Sequence, residues 1–295
     1  MLPGVANQPS ILRDRSSYYL SCLKISPSTQ LPDLSELPFL FNEPPPRDLR
    51  FPVRTDVFMD LPPGRDAFFV ASNDTDCRTI IYEVVAPLLR SVKLGVEKDF
   101  LIGLWDDCVN RIVKVFCTED IELIRNNHRS NSSSCEEERA NMCGLVRKLC
   151  LWRGEERGFV SNNSAGSDDP AVRLVNKLLW TYGELPYILG YYTVGMKVTF
   201  CALSKGEHEK LLCTDLATVS LSNPAERFSS LVPCWRAAQL LPLLADACGR
   251  LRNVHSDYSR AHSSSSKVVE VMVSQVRKSY PSRRRWSAVK RVYEL

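Results

Sequence analysis

This sequence predicts a mixed α/β fold: a central sheet flanked by helices, with a proline-rich N-terminal arm and a basic C-terminal extension. Three observations carry that prediction. Short apolar pieces come in pairs around turns, at 141–160 and again at 187–203. Stretches of helical length with a broad apolar face stand between and after them, at 170–182 and 234–251. Prolines crowd residues 1–66, including Pro44-Pro45-Pro46 and Pro62-Pro63, and each fixes φ and removes a donor.

Taken in order, residues 1–66 leave two readings open, an extended arm docked through apolar pieces such as Leu37 to Phe41, or a disordered leader. Asp74 or Asp76 is placed to cap a helix from 77 onward. Ile80, Val84 and Leu88, beside Ile81, Val85 and Leu89, give that helix an apolar face, which Pro87 interrupts. Residues 100–105 and 111–117 read as strand or mixed, the second rich in β-formers. Residues 126–138 are polar without period and read as a solvated loop carrying Glu136, Glu137 and Glu138.

A hairpin follows. Its first piece ends at Leu145-Val146, Arg147-Lys148 form the turn, and Leu149 to Trp152 return. Gly154-Glu155-Glu156-Arg157-Gly158 reads as a second tight turn before Phe159. Asp168 or Asp169 then caps a helix with Pro170 in its first turn and Val172, Val175, Leu178, Leu179 and Tyr182 as its buried stripe, stopped by Gly183. Strands at 187–192 and 196–203 pair around Gly195, and another runs 210–214. Residues 234–251 form a core helix kinked at Pro242. Residues 262–266 read as a linker, 267–273 as a strand and 283–295 as a basic helix opening on Arg283, Arg284, Arg285 and Trp286.

Composition narrows the function classes. With 295 residues, 44% hydrophobic and 24% charged, the chain can bury a sizeable core. A net charge of +4 permits contact with nucleic acid without demanding it. No apolar run reaches the roughly eighteen residues of a membrane span, and the start has no basic-then-apolar leader, so a cytoplasmic or nuclear protein is expected. The 11 cysteines are odd in number and form no CxxC pair, which points to buried reduced thiols. Kinase chemistry has nothing to run on, since no Gly-rich phosphate loop, Val-Ala-Ile-Lys, His-Arg-Asp or Asp-Phe-Gly occurs.

Arg139-Ala140-Asn141, the hairpin, and Gly154-Glu155-Glu156-Arg157 stand in an order seen elsewhere, followed by Leu178-Leu179-Trp180, Pro186 to Tyr191 and Lys197 to Phe200. In this order the chain resembles the PD-(D/E)XK nuclease-like domain that precedes a protein kinase domain in Crinkler-type effectors and related kinase-linked proteins of oomycetes, fungi and plants. The resemblance covers roughly residues 74–295. It implies a restriction-endonuclease-like sheet and three units: 1–66 as the arm, 67–258 as the nuclease-like domain, and 259–295 as a linker and the start of a truncated kinase-like region. The family reads Arg-Pro-Asp and Gly-Glu-Glu-Lys at these places.

By that resemblance Glu155 keeps the metal-binding acid, Asn141 replaces the Asp, and Arg157 replaces the Lys that orients water or steadies phosphoryl charge. Glu83 matches an acidic position on the family's first helix and is a second candidate metal ligand; Lys177 is a further candidate to meet a phosphate. Mg is the cofactor if the site is active, and none is expected otherwise. Asparagine is a poorer Mg ligand, and guanidinium does not donate a proton near neutral pH, so chemistry lost on a retained fold is expected. Losing one carboxylate costs about 10²-fold or more in rate, unless Glu156, Glu137 or Glu138 stands in. Three readings follow: a catalytically compromised nuclease-fold module that binds nucleic acid or regulates a kinase or host partner, an active Mg-dependent nuclease with rearranged ligands, and a protein-interaction domain without enzyme activity.

Overall fold

The structure is a computed structural model that describes residues 16–25, 29–74, 77–90, 98–125, 140–159, 169–178, 180–250, 258–263, 267–272 and 276–279. Its centre is a six-stranded mixed sheet. Before it come β1 (Phe51–Arg54) and β2 (Phe69–Ser72), which pair in parallel as a separate ribbon. The sheet itself runs in spatial order β3 (Ile121–Arg125), β4 (Met142–Val146), β5 (Leu149–Arg157), β6 (Ile188–Val194), β7 (Lys197–Lys205) and β8 (Leu211–Ser220). Every neighbouring pair is antiparallel except β5 and β6, which are parallel. A mixed α/β fold is therefore present. A third sheet, β9 (Tyr258–Ser263), β10 (Lys267–Met272) and β11 (Val276–Ser279), is an antiparallel meander.

The hairpin turn lies where the sequence put it. Arg147 and Lys148 both have positive φ, 51° and 67°, as the two central residues of a type I′ turn require. The second tight turn is not formed. Gly154 to Arg157 continue β5 as extended backbone, because parallel pairing with Tyr191 to Val194 of β6 supplies their ladder bonds. Two glycines permit this close pairing. A Cβ on Gly154 would sit 2.5 Å from the Tyr191 ring, and one on Gly190 2.6 Å from the Arg153 carbonyl oxygen.

Residues 98–116, expected as strand or mixed, form one helical run, Lys98–Trp105, then a π turn over Asp106–Asn110, then Arg111–Phe116. Leu101, Leu104, Trp105, Cys108, Val109, Ile112, Val113 and Phe116 are all buried, and their spacing is that of one helix face. Core packing overrides the local β propensity of Ile112-Val113 and Val115. Residues 78–89 are likewise helical, with a π turn at Ile81–Val85 just ahead of Pro87, whose missing N–H disturbs the regular ladder. Cys77 occupies the N-cap and makes no side-chain cap bond, so Asp74 does not cap this helix; Asp76 lies outside the described residues.

The helix Leu231–Arg250 packs on 111–116 and on β4 to β6, with Pro242 inside it. It also anchors the N-terminal segment. Trp235 donates from Nε1 to the Leu23 carbonyl at 3.0 Å, and Arg236 bonds both the carbonyl and a carboxylate oxygen of Glu43. Leu23, Leu37, Phe41, Phe51 and Val53 belong to the same buried core. The part of the proline-rich segment that is described contains the helices Ser16–Lys24 and Leu37–Leu40 and is packed rather than merely extended.

The crossover from β5 to β6 carries the helix Pro170–Asn176. Asp169 is its N-cap, accepting the Ala171 N–H at 2.9 Å, with Pro170 at the first turn as expected. The buried residues of this helix are Pro170 and Leu174, whereas Val172 is 48% exposed, and the helix ends at Asn176, before Gly183. Gly183 does take a positive φ, in the turn beyond. Residues 262 and 263 lie within β9 rather than in a linker. The polar loop 126–138 with its three glutamates, Leu179 and the basic stretch 283–295 lie outside the described residues.

Candidate functional site

Strand β5 splits its two glutamates between the sheet's faces, since side chains alternate along a strand. Arg153, Glu155 and Arg157 share one face, which the crossover helix covers; Trp152, Gly154 and Glu156 share the other, against residues 98–116.

On the first face Glu155 is 2% exposed and held by two cations. Lys177, at the C-cap of Pro170–Asn176, donates Nζ to both carboxylate oxygens, at 2.8 and 2.9 Å. Arg173, one turn earlier on the helix, places Nε 3.0 Å from Oε1. Arg153 donates to the Lys177 carbonyl at 3.2 Å, tying the end of the helix to the strand beneath it. Arg157 closes the strand, its backbone N–H on Thr193 Oγ1 at 3.2 Å.

On the second face Glu156 anchors a buried network. Arg125, at the end of β3, forms a two-point pair with it, and also meets Asp106 of the π turn. Tyr191 donates its hydroxyl to Glu156 at 2.6 Å and accepts from Asn110 at 2.9 Å. Asn110 also donates to Asp106 and accepts the Trp152 indole N–H at 3.1 Å. Burial works against the Arg125 charge, but the hydrogen bond and charge of Glu156 outweigh it and raise its pKa. Burial, then the Glu156 charge, push the Tyr191 hydroxyl well above the ordinary tyrosine range, so it keeps the proton it donates to Glu156. The π turn puts Asp106 and Asn110 toward the sheet together, as such bulges frequently do at functional positions.

Asn141 joins the two faces. It stands one step before Met142, which pairs with Gly154, so the hairpin brings it to the end of β5 that carries Glu155. Its Oδ1 accepts the backbone N–H of Glu156 at 2.8 Å. Asn141, Glu155 and Lys177 thus gather around one strand end, with Arg157 two residues along. Glu83 does not join them; it is exposed on the π turn of 78–89.

A Mg ion needs oxygen donors that are free to turn to it. Both Glu155 oxygens face ammonium or guanidinium nitrogen, the Asn141 oxygen is held by a backbone N–H, and Glu156 points to the opposite face. This donor set does not fit the ion in the arrangement seen. Among the described residues no group of three or more His, Cys, Asp and Glu side chains is placed to hold a metal. Burial pushes the Cys108 thiol up to about 12 and that of Cys248 up to about 11, away from the nucleophilic thiolate form.

Asp106, Asn110, Arg125 and Tyr191 were not singled out from sequence. One signal was available, the i, i+4 spacing of Asp106 and Asn110 beside an apolar face that is regular only when 101–116 is read as one window.

No helix of the described residues is long and apolar enough to cross a membrane. No family model matches the chain, and no solved structure matches it. Crinkler effector protein 8 of Phytophthora infestans is 21% identical over 302 aligned residues, covering 99% of this chain and 49% of that protein. The chain spans about half the length of this curated relative, and it is a distant relative of a Crinkler effector.

Proposed function

We propose that this chain is an effector-like module on a nuclease-type scaffold whose acidic position has given up metal chemistry and serves binding, of nucleic acid or of a kinase or host partner. The observation that carries this reading is the internal neutralisation of Glu155 by Lys177 and Arg173. A carboxylate enclosed by two cations gains more from them than from an ion that must shed its water, and opening the pair leaves charges buried. The distant Crinkler effector supports the effector part of the proposal.

The Glu155–Lys177 contact also favours a second reading. An acid and a lysine side by side are what a phosphodiester-cleaving site of this type uses, with the lysine here supplied by the crossover helix instead of position 157. Incubating the protein with supercoiled plasmid and Mg or Mn, beside Glu155→Ala, separates the two. The binding reading expects no cleavage above the variant's level. It expects DNA affinity that falls with salt and falls further in Arg157→Ala/Lys177→Ala. Cleavage abolished by Glu155→Ala favours the enzyme, and salt-insensitive absence of DNA binding favours a protein partner.

A further inference from the structure

The N-terminal segment is acidic on a chain whose net charge is +4: residues 25–46 hold Asp33, Glu36 and Glu43 and no lysine or arginine. The short helix Leu37–Leu40 lies in its middle. Leu37 and Phe41, one helical turn apart, are both buried in the core, so Phe39, halfway round between them, faces outward. At 81% exposed it is the most exposed large apolar side chain among the described residues. Phe39 lines a groove of about 560 Å³ together with Pro32, Leu40, Glu36 and Glu43.

The walls of this groove are fixed from beneath. Tyr187 donates its hydroxyl to the Pro32 carbonyl at 3.0 Å. Asp33 and Glu36 close on each other, the Asp33 N–H on Glu36 Oε2 and the Glu36 N–H on the Asp33 carbonyl, both at 2.9 Å. The Arg236 guanidinium holds Glu43 by its carbonyl and by its carboxylate, which neutralises that acid. Asp33 and Glu36 are exposed and form no ion pair with any described residue. Their field reaches inward: after burial, the charges of Asp33 and Glu36 raise the pKa of the Tyr187 hydroxyl above the ordinary tyrosine range.

We infer that this groove docks a short basic peptide segment, with one bulky apolar side chain against Phe39 and Leu40 and flanking Lys or Arg side chains against Asp33 and Glu36. The exposed aromatic and its apolar neighbours supply area to bury, and the unneutralised acids select the sign of the partner's charge. The same acids repel phosphate, which sets nucleic acid aside as the occupant. The groove shares no residue with the Glu155 cluster, and the inference does not depend on how that cluster is read.

A fluorescently labelled hexapeptide, Arg-Arg-Leu-Trp-Arg-Arg, is the probe, read by anisotropy against the full chain. Two further peptides are compared, one with Glu in place of every Arg and one with Ser in place of Leu and Trp. Two protein variants complete the test, Phe39→Ser and Glu36→Gln. The first changes an outward side chain and leaves Leu37 and Phe41 in the core; the second keeps the acceptor for the Asp33 N–H and removes only the charge. The inference expects saturable binding, weakened about tenfold or more by Phe39→Ser and by either peptide exchange, and about threefold by Glu36→Gln. Equal affinity for the parent and both variants would mean unspecific attraction and overturn the inference. No binding at millimolar peptide overturns it too, as does self-association of the chain that Phe39→Ser abolishes and the peptide does not compete with, since a second copy would then cover the groove.

Discussion

Tyr191 has no exposed surface, yet its hydroxyl has two partners, donating to Glu156 and accepting from Asn110. Removing that oxygen leaves a buried carboxylate short of a donor. Tyr191→Phe is expected to lower stability by about 1–3 kcal/mol in urea denaturation at neutral pH. The same residue sets a pH dependence. Its folded pKa is raised, so the folded chain keeps a proton that the unfolded chain releases above its ordinary tyrosine pKa. Stability from this group is therefore complete below the unfolded pKa and falls as pH rises through the alkaline range. Denaturation midpoints measured at successive alkaline pH values should fall more shallowly in Tyr191→Phe than in the parent. Arg125 is the other key residue of this network. Arg125→Met strands Glu156 and is expected to cost about 3–5 kcal/mol, whereas Arg125→Met/Glu156→Met should cost less than the two single changes summed. An additive double variant would mean that the pair is not coupled. The hairpin and the Asp169-Pro170 helix start were legible in the sequence, because both are local signals, but the pairing of Glu155 with Arg173 was not. Arg125 and Tyr191 were not, since their role depends on a tertiary meeting that no local pattern encodes.

At the scale of elements, β5 and β6 meet through two glycines, with Tyr191 over Gly154 and Gly190 against Arg153. Gly190→Ala would push a methyl against the Arg153 carbonyl of the neighbouring strand. It should cost about 1–3 kcal/mol and shift the amide resonances of Arg153 to Glu155. Wild-type stability and unchanged resonances would show that the strands have slack. The elements misread from sequence were misread for one reason. Ile112, Val113 and Val115 favour strand locally, but the buried positions from Leu101 to Phe116 fit one helix face, and burial decides. The second supposed turn, at Gly154 to Gly158, failed similarly: a parallel partner in β6, distant in sequence, holds the segment extended.

For the whole molecule, the sheet separates two charged groups by one strand's thickness. Glu155 with its two cations lies under the crossover helix, and Glu156 with Arg125, Tyr191 and Asn110 lies under residues 98–116. The N-terminal segment is bound into the same body through Trp235, Arg236 and Gln239 of the long core helix. The sequence made the class of fold readable through its strand pairs, but not this docking, because prolines and short apolar pieces look the same in a packed arm as in a loose one. The acid at 155 is committed to Lys177 and Arg173. Isothermal titration of Mg into the full chain, repeated with Glu155→Ala, puts that commitment to the test. No saturable binding at millimolar Mg, and no difference between the two proteins, is expected; stoichiometric binding that disappears in Glu155→Ala would contradict it.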